Sequence, residues 1–146
     1  LPKLVKGVKT LGFSLVELVI AIAILSILAA LVLPYYTRYQ QKAKVSSYAL
    51  PIARACALDA ITHCMSGRLA DEETVTMNVT TFPNCRNSTI ALGNLTIDIT
   101  GSITCEPTGH VSNCMVYGKL QNVTLYQARC SLKDQSLHCE VISTSN

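Results

Sequence analysis

Residues 12–34 read Gly12-Phe13-Ser14-Leu15-Val16-Glu17 and then LVIAIAILSILAALVLP, closing on Pro34. Between Leu18 and Leu33 there is no charge, and Ser26 is the one polar side chain. A helix over Phe13–Leu33 would be about 31 Å long, close to the hydrocarbon thickness of a bilayer. Such a stretch is either a membrane helix or the apolar core of a signal peptide. Lys3, Lys6 and Lys9 precede it, which orients the N-terminus toward the cytoplasm. An ordinary secretory signal is cut after its apolar stretch, at a small-x-small site. Here that stretch ends Leu-Val-Leu-Pro, a poor context, and the better cut lies on the other side, between Gly12 and Phe13. The apolar segment is therefore expected to stay in the mature protein.

The rest of the composition narrows the function classes. The chain has 146 residues, 49% of them apolar and 14% charged. This suits a single folded domain and excludes a disordered chain. Without the three leading lysines the twelve basic residues become nine, against nine acidic ones. The net +3 therefore belongs to the first dozen residues and marks no nucleic-acid surface. With no Trp and only 5% aromatic residues, a stacking platform for bases is not expected. From Gly67 onward five basic residues face seven acidic ones, so the C-terminal part offers no support for DNA binding.

The run from Gly12 to Glu17, the apolar segment, Pro34, and then Tyr36 and Tyr39 resemble the class III signal and N-terminal helix of type IV pilins. A short basic leader ends in Gly12, Phe13 follows, and Glu17 is the fifth residue after the cut. The resemblance covers about the first forty residues and stops there. It implies cleavage after Gly12 by a membrane prepilin peptidase and methylation of the new amine on Phe13. It also implies an α+β fold, with a long bent helix whose second half packs on an antiparallel β-sheet head. The implied divisions are a leader at 1–12, a hydrophobic half-helix at 13–37, an amphipathic half-helix at 38–66 and a disulfide-containing head at 67–146. Many relatives carry Gly where this chain has Ser26. Serine is the better helix former, so local melting ahead of Pro34 is less expected here.

Glu17 is costly inside an apolar run. The helix dipole favours an acid in the first turn. What the resemblance adds is a partner: the glutamate of one subunit neutralises the Phe13 amine of a neighbour as the filament grows, so Glu17, Phe13 and Pro34 form the assembly set. The simpler alternative is a carboxylate that reaches back to the headgroups.

Beyond Pro34 the pattern stays helical. Tyr39, Ala43, Ser46, Leu50, Ala53, Ala57, Ile61 and Cys64 recur at spacings of three and four, forming one apolar or small face. Arg38, Lys42, Lys44 and Arg54 fall mostly off it; they are a solvated face, or they meet anionic headgroups or an acidic patch on a neighbour. Pro51 should kink or break the helix, and Met65-Ser66-Gly67 should stop it. Val75, Met77 and Val79 then alternate, as do Leu95, Ile97 and Ile99, while 82–87 reads as loop. A hairpin centred on Asp134-Gln135 sets Leu132 opposite Leu137, Cys130 opposite Cys139 and Ala128 opposite Val141, all on one face. Lys133 and Ser136 close it, which makes the cysteine pair a close, non-hydrogen-bonded one that a disulfide can bridge. Asp-Gln is not the preferred turn dipeptide.

Seven cysteines occur, with no Cys-x-x-Cys and three histidines, so no metal is expected. Cys56 and Cys64 are separated by about 12 Å of helical rise and cannot join each other. One set consistent with the sequence is Cys64–Cys85, Cys105–Cys114 and Cys130–Cys139, with Cys56 free and buried; only the last rests on register. The odd count also leaves room for an intersubunit bond. Asn78, Asn87, Asn94 and Asn122 sit in N-x-[ST] sequons and are candidate glycosylation acceptors. No phosphate loop and no catalytic constellation appears, so no enzyme and no cofactor are expected. The reading is a structural subunit of an extracellular type IV pilus. It would wait in the inner membrane and polymerise with identical copies through the assembly machinery, serving adhesion, motility or DNA uptake. The alternatives are a pseudopilin of a type II secretion system and a membrane-anchored binding module that never polymerises.

Overall fold

A computed structural model describes residues 12–67, 73–76, 82–90 and 95–144. Residues 1–11, Met77, Asn78, Val79 and Asn94 lie outside the described residues. The chain divides into two units, Leu1–Thr37 and Arg38–Asn146.

The described part of the first unit is helical from Leu15. Helix α1 (Leu15–Lys44) has no buried residue. It runs without interruption through Ser26 and Pro34. Ser26 donates its hydroxyl to the carbonyl of Ile22 at 2.7 Å, which keeps its polar atom satisfied within the helix. Pro34 removes the N–H that the carbonyl four residues earlier would accept, and the helix tolerates that one loss. Ile20, Leu25, Ile27, Leu31 and Leu33 are all more than half exposed.

In the second unit helical structure continues to Ser66. A five-residue π turn (Val45–Ala49) follows α1, and Leu50 donates its N–H to the carbonyl of Val45. Helix α2 (Leu50–Ser66) starts there, with Pro51 in its first turn. The wider π turn gives the proline ring room against the carbonyl four residues back. The expected disruption at Pro51 thus takes the form of a π turn rather than a break. Gly67 ends α2 in an extended conformation, its N–H donating to the carbonyl of His63 at 2.9 Å.

The face that meets the sheet is Val45, Ala49, Ala53, Cys56, Ala57, Ala60 and Cys64. It departs from the expected face upstream of Pro51: Leu50 is only half-buried, and Tyr39 and Ser46 are exposed. The π turn explains this, because one extra residue in the turn shifts the phase of everything before it. The stripe is made of small side chains because α2 lies close to the strands. A Cβ on Gly118 would stand 3.2 Å from the carbonyl oxygen of Ala49 and 3.3 Å from the Cβ of Ala53.

Six antiparallel strands follow: β1 (Glu73–Thr76), β2 (Ser88–Ile90), β3 (Leu95–Cys105), β4 (Val111–Leu120), β5 (Tyr126–Lys133) and β6 (Ser136–Ser143). The sheet order is β1-β3-β4-β5-β6, and β2 pairs with the other end of the same edge of β3. Strand alternation puts Ile97, Ile99, Ile103 and Cys105 inward from β3. Val111, Cys114, Val116 and Leu120 come from β4, and Ala128 and Cys130 from β5. A bulge at Thr104 and Cys105 sets Cys105 opposite Val111. In the turn that follows, Gly109 adopts φ +83°, which an L side chain would resist.

The β5–β6 hairpin closes on Asp134 and Gln135, both at positive φ, the signature of a type I′ turn. Lys133 faces Ser136, Leu132 faces Leu137, Cys130 faces Cys139 and Ala128 faces Val141. On the outer face Arg129 stands opposite Glu140 and forms an ion pair with it. That hydrogen bond holds the Glu140 carboxyl below its usual range.

The structure corrects two of the expected disulfides. Cys56 joins Cys85, Cys64 joins Cys105, and Cys130 joins Cys139. Neither Cys64–Cys85 nor Cys105–Cys114 forms, and the free thiol is Cys114 rather than Cys56. Cys56 and Cys64 share the buried face of α2 two turns apart, so each meets a different part of the head. Cys105 and Cys114 are on adjacent strands but not opposite each other, since Cys114 pairs with Ile103. Burial pushes the Cys114 thiol up to about 11.

Candidate functional site

The residues ahead of the apolar helix form a compact local motif. Gly12 and Phe13 are extended and exposed, with Phe13 at 88%. Among the described residues no heavy atom lies within 4 Å of where a Cβ on Gly12 would sit. Ser14 immediately precedes α1, and its backbone N–H donates to Oε2 of Glu17 at 2.9 Å. Glu17 is the third helical residue, so Ser14-x-x-Glu17 has the spacing and the reciprocal arm of a capping box. The carboxylate satisfies a donor that has no helical partner and sits at the positive end of the dipole. Its other oxygen, Oε1, has no hydrogen bond among the described residues.

The Ser-x-x-Glu spacing was visible in the sequence, where the assembly reading of Glu17 left it unused. The motif survives removal of the leader, because Ser14 and Glu17 both lie on the mature side of Gly12. Pro34 lies inside α1, 17 residues after Glu17 in the sequence, and the structure does not bring the two together.

At the far end of α2 the helix is held to the head by several bonds. Asp59 accepts from the side chain of Asn84 at 2.7 Å and from its backbone N–H at 3.2 Å. The ring of His63 meets Phe82 edge-on at 5.3 Å. With Cys56–Cys85 these contacts fix α2 to the 3₁₀ turn at Pro83–Cys85. Cys64–Cys105 fixes it to β3 one level further on. Asn87 and Asn122 are exposed. Asn87 also accepts the backbone N–H of Ile99 at 3.0 Å through Oδ1, which leaves its amide nitrogen directed elsewhere. Among the described residues no three His, Cys, Asp or Glu side chains gather where they could hold a metal ion.

Residues 9–33 match the family model described as the prokaryotic N-terminal methylation motif. Comparison with curated proteins and with solved structures returns no match. The chain therefore carries the class III prepilin signal of type IV pilin-like proteins. Its long N-terminal helix and six-stranded antiparallel sheet have the α+β layout of the type IV pilin fold. The motif supports a pilin-type or pseudopilin-type subunit, a structural class that is generally not enzymatic. It also implies processing by prepilin peptidase and handling by the assembly machinery. The signal and the apolar helix fit membrane anchoring.

Proposed function

We propose that this chain is the structural subunit of a type IV pilus: an inner-membrane precursor, cleaved at Gly12, that polymerises with identical copies into a surface filament. The observation that carries the reading is α1 itself. Its apolar half has no buried residue among the described residues, so it needs lipid or other apolar helices around it. Moving from the bilayer to a bundle of sister helices keeps that surface out of water at both stages.

Glu17 supplies the register of such a bundle. Its Oε2 caps the chain's own helix, and Oε1 accepts the Phe13 amine of a neighbour. An ammonium and a carboxylate brought together in a dry bundle each remove the other's desolvation cost. Two substitutions separate the two duties. Glu17→Gln keeps a capping side chain but loses the charge; Glu17→Ala loses both. The expected result is loss of surface fibres in both variants, seen by electron microscopy, with the membrane-bound pool at its normal level. Fibres of normal number and length from Glu17→Gln would remove charge pairing from the account.

The second reading is a pseudopilin of a secretion system. The N-terminal segment is common to both, and the three disulfides favour a head that endures outside the cell. Long fibres on the surface at native expression support the pilus; short periplasmic assemblies alone would support the pseudopilin.

A further inference from the structure

We infer that the second unit holds a binding cleft for the phosphate group of an anionic phospholipid, with Arg38, the residue that follows the first unit in the sequence, as its cationic residue. The cleft has a volume of about 340 Å³ and is lined by Arg38, Thr124, Leu125, Tyr126, Ser143 and Thr144. Its walls are tied together. Thr144 donates its backbone N–H to the carbonyl of Leu125 at 2.9 Å, and its hydroxyl donates to the carbonyl of Thr124. The turn after β4 and the end of β6 therefore form one rigid rim beside the helix.

The lining is chemically one-sided. It carries one guanidinium, three aliphatic hydroxyls and a phenol, and no carboxylate. Arg38 has no ion pair or hydrogen bond among the described residues. A planar guanidinium presents paired donors that match phosphate oxygens, and the Thr124 hydroxyl and the Tyr126 phenol add donors at the rim, the Thr144 hydroxyl being committed to the carbonyl of Thr124. The volume is at the small end for ligand clefts, which fits a headgroup rather than a large cofactor.

The place in the sequence selects the source of the phosphate. Arg38 comes five residues after Leu33, the end of the uncharged run, a helical rise of about 7.5 Å. Tyr35, Tyr36 and Tyr39 flank it in the sequence and are 75%, 55% and 72% exposed, the composition of an aromatic belt at a membrane–water interface. While the subunit waits in the bilayer, Arg38 stands at the level of the headgroups. The inference rests on the membrane residence of α1, and it adds a specific lipid contact that assembly into a filament would have to release.

The test uses the full chain in detergent micelles with equimolar phosphatidylglycerol and phosphatidylcholine, and native mass spectrometry reads the lipid adducts. Wild type should retain phosphatidylglycerol about fivefold over phosphatidylcholine, the effect of one basic side chain at an anionic surface. Arg38→Gln should bring the ratio to parity. So should Leu125→Glu, which puts a carboxylate at the cleft mouth on a residue already 44% exposed. Lys119→Gln, an exposed cation on β4 outside the cleft lining, should leave the ratio unchanged. Parity in wild type, or selectivity that survives both cleft variants, overturns the site. Glycerol phosphate that occupies the cleft as tightly as the lipid overturns the lipid assignment in favour of a soluble ester. An Arg38 effect on dimerisation with none on lipid assigns the cleft to a second copy and likewise overturns it. Reconstitution into bilayer discs keeps the two readings apart. A chain that fails to insert refutes membrane residence; one that inserts without headgroup preference refutes only the cleft.

Discussion

Cutting the bond between α2 and β3 would show how much of the head's stability is covalent. Cys64–Cys105 closes a sequence separation of 41 residues, whereas Cys130–Cys139 closes 9. Loop-closure entropy assigns about 4 kcal/mol to the first and about 2.5 kcal/mol to the second. Cys64 and Cys105 are both fully buried, while Cys139 is half-buried, so truncation at the first pair also leaves more unfilled volume. The variant Cys64→Ala/Cys105→Ala should therefore lose at least about 1 kcal/mol more than Cys130→Ala/Cys139→Ala. Cys56–Cys85 overlaps the same stretch of chain, so removing both α2 bonds should cost less than the sum of the single losses. Urea unfolding of the full oxidised chain in micelles provides the measurement. The tyrosine near-ultraviolet signal, to which Tyr117 and Tyr126 in the sheet contribute, reports the head. If the long-loop variant were no less stable than the short-loop one, the head would be held by packing of the alanine stripe and not by its cross-links.

Two further outcomes follow from particular residues. Gln135 adopts φ +63°, a region in which a non-glycine residue costs about 1 kcal/mol. Gln135→Gly should therefore raise the unfolding midpoint by the equivalent of about 0.5 kcal/mol after the added freedom of the unfolded chain is counted. A lower midpoint would mean that the Gln135 side chain contributes more by packing than its backbone costs. The Cys114 thiol holds its proton to about pH 11 when folded and releases it near 9 when unfolded. Between those values the folded state binds more protons, so stability falls as pH rises, by up to about 2–3 kcal/mol across the window. Urea titrations at pH 8, 9 and 10 should show this slope in wild type and a shallower one in Cys114→Ala. Equal slopes would place the alkaline loss in other groups.

Features that depend on neighbouring residues were readable from the chain alone. The apolar helical run to Leu33 and the hairpin on Asp134-Gln135 each lie within a few dozen consecutive residues. In the hairpin, a register shift by one would turn Ala128, Cys130 and Leu132 outward, so alternation alone left one solution. The face of α1 and the π turn ahead of Pro51 differs from its periodicity for an equally local reason. A π turn is not announced by periodicity, and it rotates the rows upstream of it.

The cysteine pairing belongs to another level. Cys56, Cys64, Cys85, Cys105 and Cys114 come from a helix, a 3₁₀ turn and two strands, and nothing in their spacing says which of them become neighbours. That depended on how closely α2 could approach β4, which Gly118 and the alanines set, and on the β3–β4 register, which puts Ile103 rather than Cys105 opposite Cys114. The cleft at Arg38 is of the same kind, since its rim comes from a turn and a strand end more than eighty residues away in the sequence. Short-range sterics and hydrophobic period are written along the chain, whereas contacts between distant segments exist only once the sheet and helix have packed.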